Sequence, residues 1–205
     1  MITTEEKIKR AALELFLEKG FERTSIRDIA GKAKINIALM NYHFKSKENL
    51  FDSIFSELLQ AYTPSLNNIL SSELPLEEKI KEYVSKYIDI LQEHPRLTYF
   101  VLSVLQRNPE KIKKLQIFQS LYDTGNFASQ FVMAMKKRNI SSYNPTQFYI
   151  NMISLITFPF TIKPVILEKN SMNEHDFEKF MQERKKIITD LLILSIKKNN
   201  MTISN

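Results

Sequence analysis

The sequence predicts an all-α protein: an N-terminal three-helix helix-turn-helix domain, then a larger helical domain, about nine helices in total. Three observations carry this. Only three glycines occur in 205 residues, whereas a sheet protein of this size needs many more for its turns. Apolar residues recur at three- and four-residue spacing along most of the chain, the period of an amphipathic helix. Prolines fall where helices would begin or end, at Pro75, Pro95, Pro109 and Pro145, since proline is tolerated in a first turn and not later.

The first helix is expected over 5–19, with Ile8, Ala12, Leu15 and Phe16 on one face and Gly20 as its C-cap. Phe21 can pack back under that end. Ser25 with Asp28 is a capping-box pattern with a short acid, opening a helix over 26–33 with Ile26, Ile29, Ala30 and Ala33 inward. Asn36 caps the next, over about 37–43. Ser46 caps a fourth that starts at Lys47, with Leu50, Ile54, Leu58 and Leu59 on its apolar face. The short connection between the second and third helices has helix-turn-helix spacing. We therefore expect a domain over 1–46 and a second over 47–205.

Beyond about residue 65, helices are expected near 75–92, 95–107, 109–138, 145–168 and 173–199. Asn173 with Asp176 is a further cap pattern. Asp123 to Asn126 should kink or split the middle helix, and Pro159 and Pro164 should bend the next.

Composition narrows the function. Hydrophobic residues make up 43% and charged residues 25%, the values of a folded globular chain. The net charge of +6 suits a polyanionic partner, but many basic proteins bind none. There is no cysteine, which excludes disulfides and thiolate metal sites and fits a cytoplasmic location. The N-terminus is polar, so no signal peptide is expected. The apolar stretch from Ile153 to Leu167 is too short and too interrupted to span a membrane. Histidines 43, 94 and 175 are far apart in sequence, and neither a glycine-rich phosphate loop nor a nucleophile elbow occurs. An enzyme is not expected, nor a metal or cofactor.

The informative segment runs from Thr24 to Leu50. The third helix has two core positions, Met40 and Phe44. It exposes Ile37, Ala38, Asn41, Tyr42 and His43, and Lys45 and Lys47 lie just past its end. A short exposed helix flanked by cations fits a B-DNA major groove. From periodicity alone, an ordinary solvated surface explains it equally well. Residues 1–50 hold ten Lys or Arg against seven acids, so placement matters more than total charge.

Lys-Gly-Phe at 19–21, Thr-Ser-Ile-Arg-Asp-Ile-Ala at 24–30 and Asn-Tyr-His-Phe-Lys-Ser-Lys-Glu at 41–48 resemble, in order and spacing, the N-terminal domain of the TetR/AcrR family of transcriptional regulators. The resemblance covers about residues 5–55. It implies a homodimer on a palindromic double-stranded DNA operator, with a small-molecule effector that releases it. It implies that Ile37, Ala38, Leu39 and Asn41 face bases, that Tyr42, His43 and Lys47 face the backbone with Ser25 and Arg27 at the second helix, and that Asn36 and Lys45 belong to the same DNA-binding set. Asn41 can read adenine with two hydrogen bonds, and Ile37 or Ala38 can touch thymine methyls, so an A/T-leaning half-site is expected. Two residues depart from the family pattern. Lys34 stands where glycine is usual, and Leu39 where a polar residue is common.

In the larger domain the resemblance implies a ligand pocket, with Tyr87, Phe100, Gln106, Phe118, Tyr122, Phe148 and Met152 as its candidate lining. Such a lining suits a large, mostly apolar molecule. It also implies dimerisation through the last two helices, with Phe177, Phe180, Met181, Arg184, Ile188, Leu191, Leu192 and Ser195 as candidate contacts. The alternative on the same fold is an architectural or cell-cycle DNA-binding protein without a small ligand.

Overall fold

A computed structural model describes residues 2–95, 97–98, 100–102, 125–138 and 144–197, and all regular secondary structure among them is helical. The chain divides into two compact units. One comprises residues 1–62 with 99–111, the other 63–98 with 112–205. The division falls inside a helix, later than the 46/47 boundary read from the sequence. Hydrophobic period does not mark it, because the helix is apolar on both sides of the boundary.

In the first unit, helix α1 (Thr4–Lys19) starts under a full capping box. The Thr3 hydroxyl accepts from the Glu6 N–H, and the Glu6 carboxylate accepts from the Thr3 N–H. It ends at Gly20, whose φ of 78° is open to glycine without a side-chain clash. Phe21 then packs back, its ring 5.2 Å from Phe16. Helices α2 (Ile26–Ala33) and α3 (Ile37–His43) follow, and then α4 (Lys47–Ser71). Ile8, Ala12, Phe16, Ile29, Met40, Leu50, Phe51 and Phe55 fill the core between them. Phe100 completes it, its ring 4.9 Å from Phe51. Lys32 binds Glu14 and Glu18, tying α2 to α1, and Lys9 binds Glu57, tying α1 to α4.

Helix α4 begins at Ser46, whose hydroxyl accepts the Asn49 N–H at 3.1 Å. It runs through Pro64, which has no N–H for the carbonyl four residues back. The unit boundary, between Tyr62 and Thr63, falls in the same turn.

In the second unit, α5 (Leu76–Glu93) packs on α6 (Gly125–Lys137), α7 (Pro145–Thr161) and α9 (Glu174–Ile196). The stem of Lys79 is buried, and its ammonium donates to the Leu70 carbonyl at 2.9 Å. Burial lowers the Lys79 pKa, and the carbonyls ending α4 supply the compensating acceptor. Arg138 donates to the Ile196 carbonyl and to Glu77, fastening the end of α9. The expected helix over 145–168 is two, α7 and α8 (Lys163–Lys169), with 62° between them. Ile162 is the joint, and Pro159 and Pro164 flank it. Among the described residues no single helix is long and apolar enough to cross a membrane.

Candidate nucleic-acid interface

The reading helix is set by its caps. Ser25 and Asp28 close a capping box on α2, and the Ser25 hydroxyl and N–H both reach the Asp28 carboxylate. These bonds hold the Asp28 carboxyl below its ordinary pKa. At the other end of α2 the chain turns through Lys34 in the left-handed region, φ 55° and ψ 46°. The Ile35 N–H bonds the Ala30 carbonyl and the Lys34 N–H that of Gly31, the paired bonds of a Schellman motif. Glycine fits this position without penalty, whereas a lysine there is strained by about 1–2 kcal/mol.

Asn36 caps α3 by accepting the Leu39 N–H at 2.7 Å, and the Phe44 N–H closes it on the Met40 carbonyl. Met40 and Phe44 are buried and anchor the helix. Ala38, Asn41, Ile37 and Tyr42 stand in water, the last two 43% and 82% exposed. Leu39 and His43 are half-buried. An edge contact of 5.4 Å joins the Tyr42 and His43 rings.

The surrounding cations fall into two groups. Lys9, Arg10, Lys19 and Lys32 are all paired with acids. Arg23, Arg27, Lys34 and Lys45 are exposed and make no ion pair among the described residues. Lys47 differs from its expected role. Its ammonium donates to the carbonyls of Phe21 and Thr24, each at 3.0 Å, and lies 4.1 Å from the centre of the Phe21 ring. It clasps the α1–α2 loop to the start of α4. The buried Thr24 hydroxyl, donating to the Gly20 and Leu15 carbonyls, holds that loop from within.

Of the seven residues expected to line an effector pocket, Tyr87, Phe100, Phe148 and Met152 are among the described residues. Phe148 and Met152 are fully buried in the second unit, where the Phe148 ring lies 4.8 Å from Phe131. Tyr87 is half-buried beside Tyr83, and the Tyr83 and Tyr149 hydroxyls share a hydrogen bond of 3.0 Å. Phe100 instead belongs to the core of the first unit, because Phe51 and Phe55 enclose it. Gln106, Phe118 and Tyr122 lie outside the described residues. A groove between α5 and α9 is lined by residues with polar or charged ends, among them Asp89, Gln92, Glu93, His175 and Gln182.

The expected dimer contacts separate into two faces of α9. Phe177, Met181, Ile188 and Leu192 are buried in their own unit, which corrects their assignment to an interface. Phe180 and Arg184 are half-buried, while Leu191 and Ser195 are exposed. The outward apolar residues of α9 are Ile187, Leu191 and Leu194, each at least half exposed. The last turns of α9, apolar at Leu191, Leu192, Ile193 and Leu194, carry two such stripes, and the period alone does not say which is inside. On α7, Ile150 and Phe158 are likewise exposed, and the Arg184 side chain of α9 reaches the Leu155 carbonyl of α7.

A family model described as "Bacterial regulatory proteins, tetR family" matches residues 8–54. The chain is 27% identical over 177 residues to a probable HTH-type transcriptional regulator, YttP, of Bacillus subtilis, covering 85% of this chain and 86% of the relative. It resembles in fold the TetR family transcriptional regulator PfmR from Thermus thermophilus, at a TM-score of 0.69 and 18% identity, covering 92% of this chain and 97% of that one. The transcriptional regulator FadR from Bacillus subtilis, solved in complex with stearoyl-CoA, has a TM-score of 0.65 at 17% identity, with 89% and 96% covered.

Proposed function

We propose that the chain, whose residues 8–54 match the tetR family model, is a dimeric repressor whose α3 reads an A/T-leaning operator. The observation that carries this is α3 itself. It is capped by Asn36 and anchored by Met40 and Phe44, while Ile37, Ala38, Asn41 and Tyr42 are left exposed. Asn41 offers a donor and an acceptor matched to adenine, and Ile37 and Ala38 offer apolar contact to thymine methyls. Arg27 and Lys45 supply cations for the backbone. We expect the chain to work in the cytoplasm, where the DNA is.

One α3 buries too little surface for tight specific binding, so the operator is expected to be a palindrome bound by two copies. The stripe Phe180, Arg184, Ile187, Leu191 and Leu194 steps by four and three residues, the spacing of a helix–helix seam. With Ile150 and Phe158 on α7 it forms the surface we assign to the second copy.

For the effector we favour a large, mostly apolar molecule bound in the second unit. The FadR neighbour, which holds stearoyl-CoA, suggests that class. Helix α4, which carries residues of both units, is the candidate link. A coupling of about 1–3 kcal/mol is enough for regulation.

The test is selection of bound fragments from a random duplex library, followed by titration of the selected site across a salt series. The expected result is a palindromic, A/T-leaning site whose affinity falls with salt. Guanines at the α3 contacts would remove the base-reading part. No enrichment of any sequence would remove the operator claim. Long-chain acyl-CoA is then added. Release of the DNA supports induction. Binding of the acyl-CoA with unchanged operator affinity ends it.

A further inference from the structure

We propose that Lys34, in the turn between α2 and α3, is a phosphate-binding residue that fixes the register of α3 on DNA. This rests on the DNA-binding reading above. The first observation is conformational. Lys34 has φ 55°, and Ser171 is the other non-glycine residue with positive φ among those described. At Gly20, where a helix also ends with positive φ, the chain uses glycine. At Lys34 a strained L-residue stands instead, although glycine would relieve the turn. Strain of this kind collects at functional sites.

The second observation is electrostatic. Lys34 is exposed and makes no ion pair among the described residues. Lys32, two residues earlier, is held by both Glu14 and Glu18. Stabilising the negative end of α2 does not explain a cation at position 34, because Lys32 already stands in the last turn. The third is position. Lys34 precedes the α3 cap, Asn36, by two residues. Arg27 on α2, Lys34 before α3 and Lys45 after it flank the reading helix in sequence and make no ion pair among the described residues. Contacts of lysine to phosphate carry no base information but set where a reading helix sits.

The experiment compares Lys34→Gln, Lys34→Arg and Lys34→Gly with the unaltered protein, on the duplex that the unaltered protein selects and on a random duplex. Removing one lysine–phosphate ion pair lowers the slope of log affinity against log salt by roughly 0.9. For two copies, Lys34→Gln is expected to lower it by about 1.8 on both duplexes, while Lys34→Arg keeps the slope. Lys34→Gly is expected to raise the unfolding midpoint by about 2–4 °C and still lower the slope as Lys34→Gln does, so a more stable protein binds DNA more weakly. An unchanged slope in Lys34→Gln, with selection intact, overturns the role of Lys34 and leaves the DNA reading standing. Failure of the unaltered protein to select any duplex overturns both.

Discussion

Ile37 on α3 and Ile187 on α9 are both isoleucines left about half in water, yet their neighbours differ. Near Ile37 in sequence stand the Asn36 cap, the exposed Asn41 and the exposed Lys34 and Lys45, which make no ion pair among the described residues. Around Ile187 stand Leu191 and Leu194 one and two turns on, with Ile150 and Phe158 exposed on α7, which packs against α9. On the function proposed above, the same exposed side chain marks a polyanion contact in one place and a protein surface in the other. Exposure alone assigns neither. The charges and the width of the apolar area around it decide.

The largest effect that tests this contrast is on α9. Leu191→Glu puts a charge into the proposed seam, and a buried unpaired charge costs several kcal/mol. The expected product is a folded monomer by sedimentation, with native helical content and with operator affinity down by more than about 100-fold, because half-sites are then bound singly. Ile188→Glu, three residues earlier on the buried face, is expected to unfold the chain instead. If both variants stay dimeric, or both unfold, the division of α9 into inner and outer stripes is wrong.

On α3 the change is expected in selectivity and not in assembly. Asn41→Ala should cost about 1–3 kcal/mol of discrimination at one base pair per half-site and leave the dimer intact. A binding matrix measured for both proteins shows it. A uniform loss at all positions, with the preference unchanged, would assign Asn41 to the backbone.

Much of this contrast is legible in the sequence, and the rest is hidden for physical reasons. Caps such as Ser25, Asn36 and Asn173 are readable because a cap bond is local, made within three residues of its own position. Gly20 is readable for the same reason. Phe100 is not. It lies about fifty residues beyond Phe51, and no local pattern tells that its ring closes the first core. The clasp made by Lys47 is hidden because its partners are carbonyls of Phe21 and Thr24, which carry no residue signature. On α9 the pattern announces burial but gives two faces, and only packing against α5 and α7 selects between them.

Lys47 and Lys45 sharpen the contrast within a single loop. Lys47→Met removes two charge-assisted bonds and a cation–π contact and is expected to lower stability by roughly 1–2 kcal/mol. The salt slope of DNA binding should barely move. Lys45→Met is expected to do the reverse, leaving the unfolding midpoint alone and lowering the slope by roughly 0.9 per copy. Should Lys47→Met lower the slope as much as Lys45→Met, the clasp is also a phosphate contact.

The smallest effect concerns the α2 cap and shows in acid. Ser25 donates through its N–H and hydroxyl to the Asp28 carboxylate, which lowers the Asp28 pKa in the folded state. An acid whose folded pKa is depressed contributes stability above its ordinary pKa of about 4 and loses it as pH falls through the lower folded value. Ser25→Ala removes the hydroxyl that donates to Asp28 and accepts its N–H, and a lost cap of this kind costs about 1 kcal/mol. The difference in stability between the two proteins should be flat from neutral pH down to about pH 5 and narrow below about pH 4, as Asp28 is protonated in both. α2 sets the approach to α3, so the same substitution is expected to weaken DNA binding slightly and without a base preference. A difference in stability that stays constant through the acid range would show that the Ser25 hydroxyl acts on the backbone N–H alone, with no share in holding the carboxylate charged.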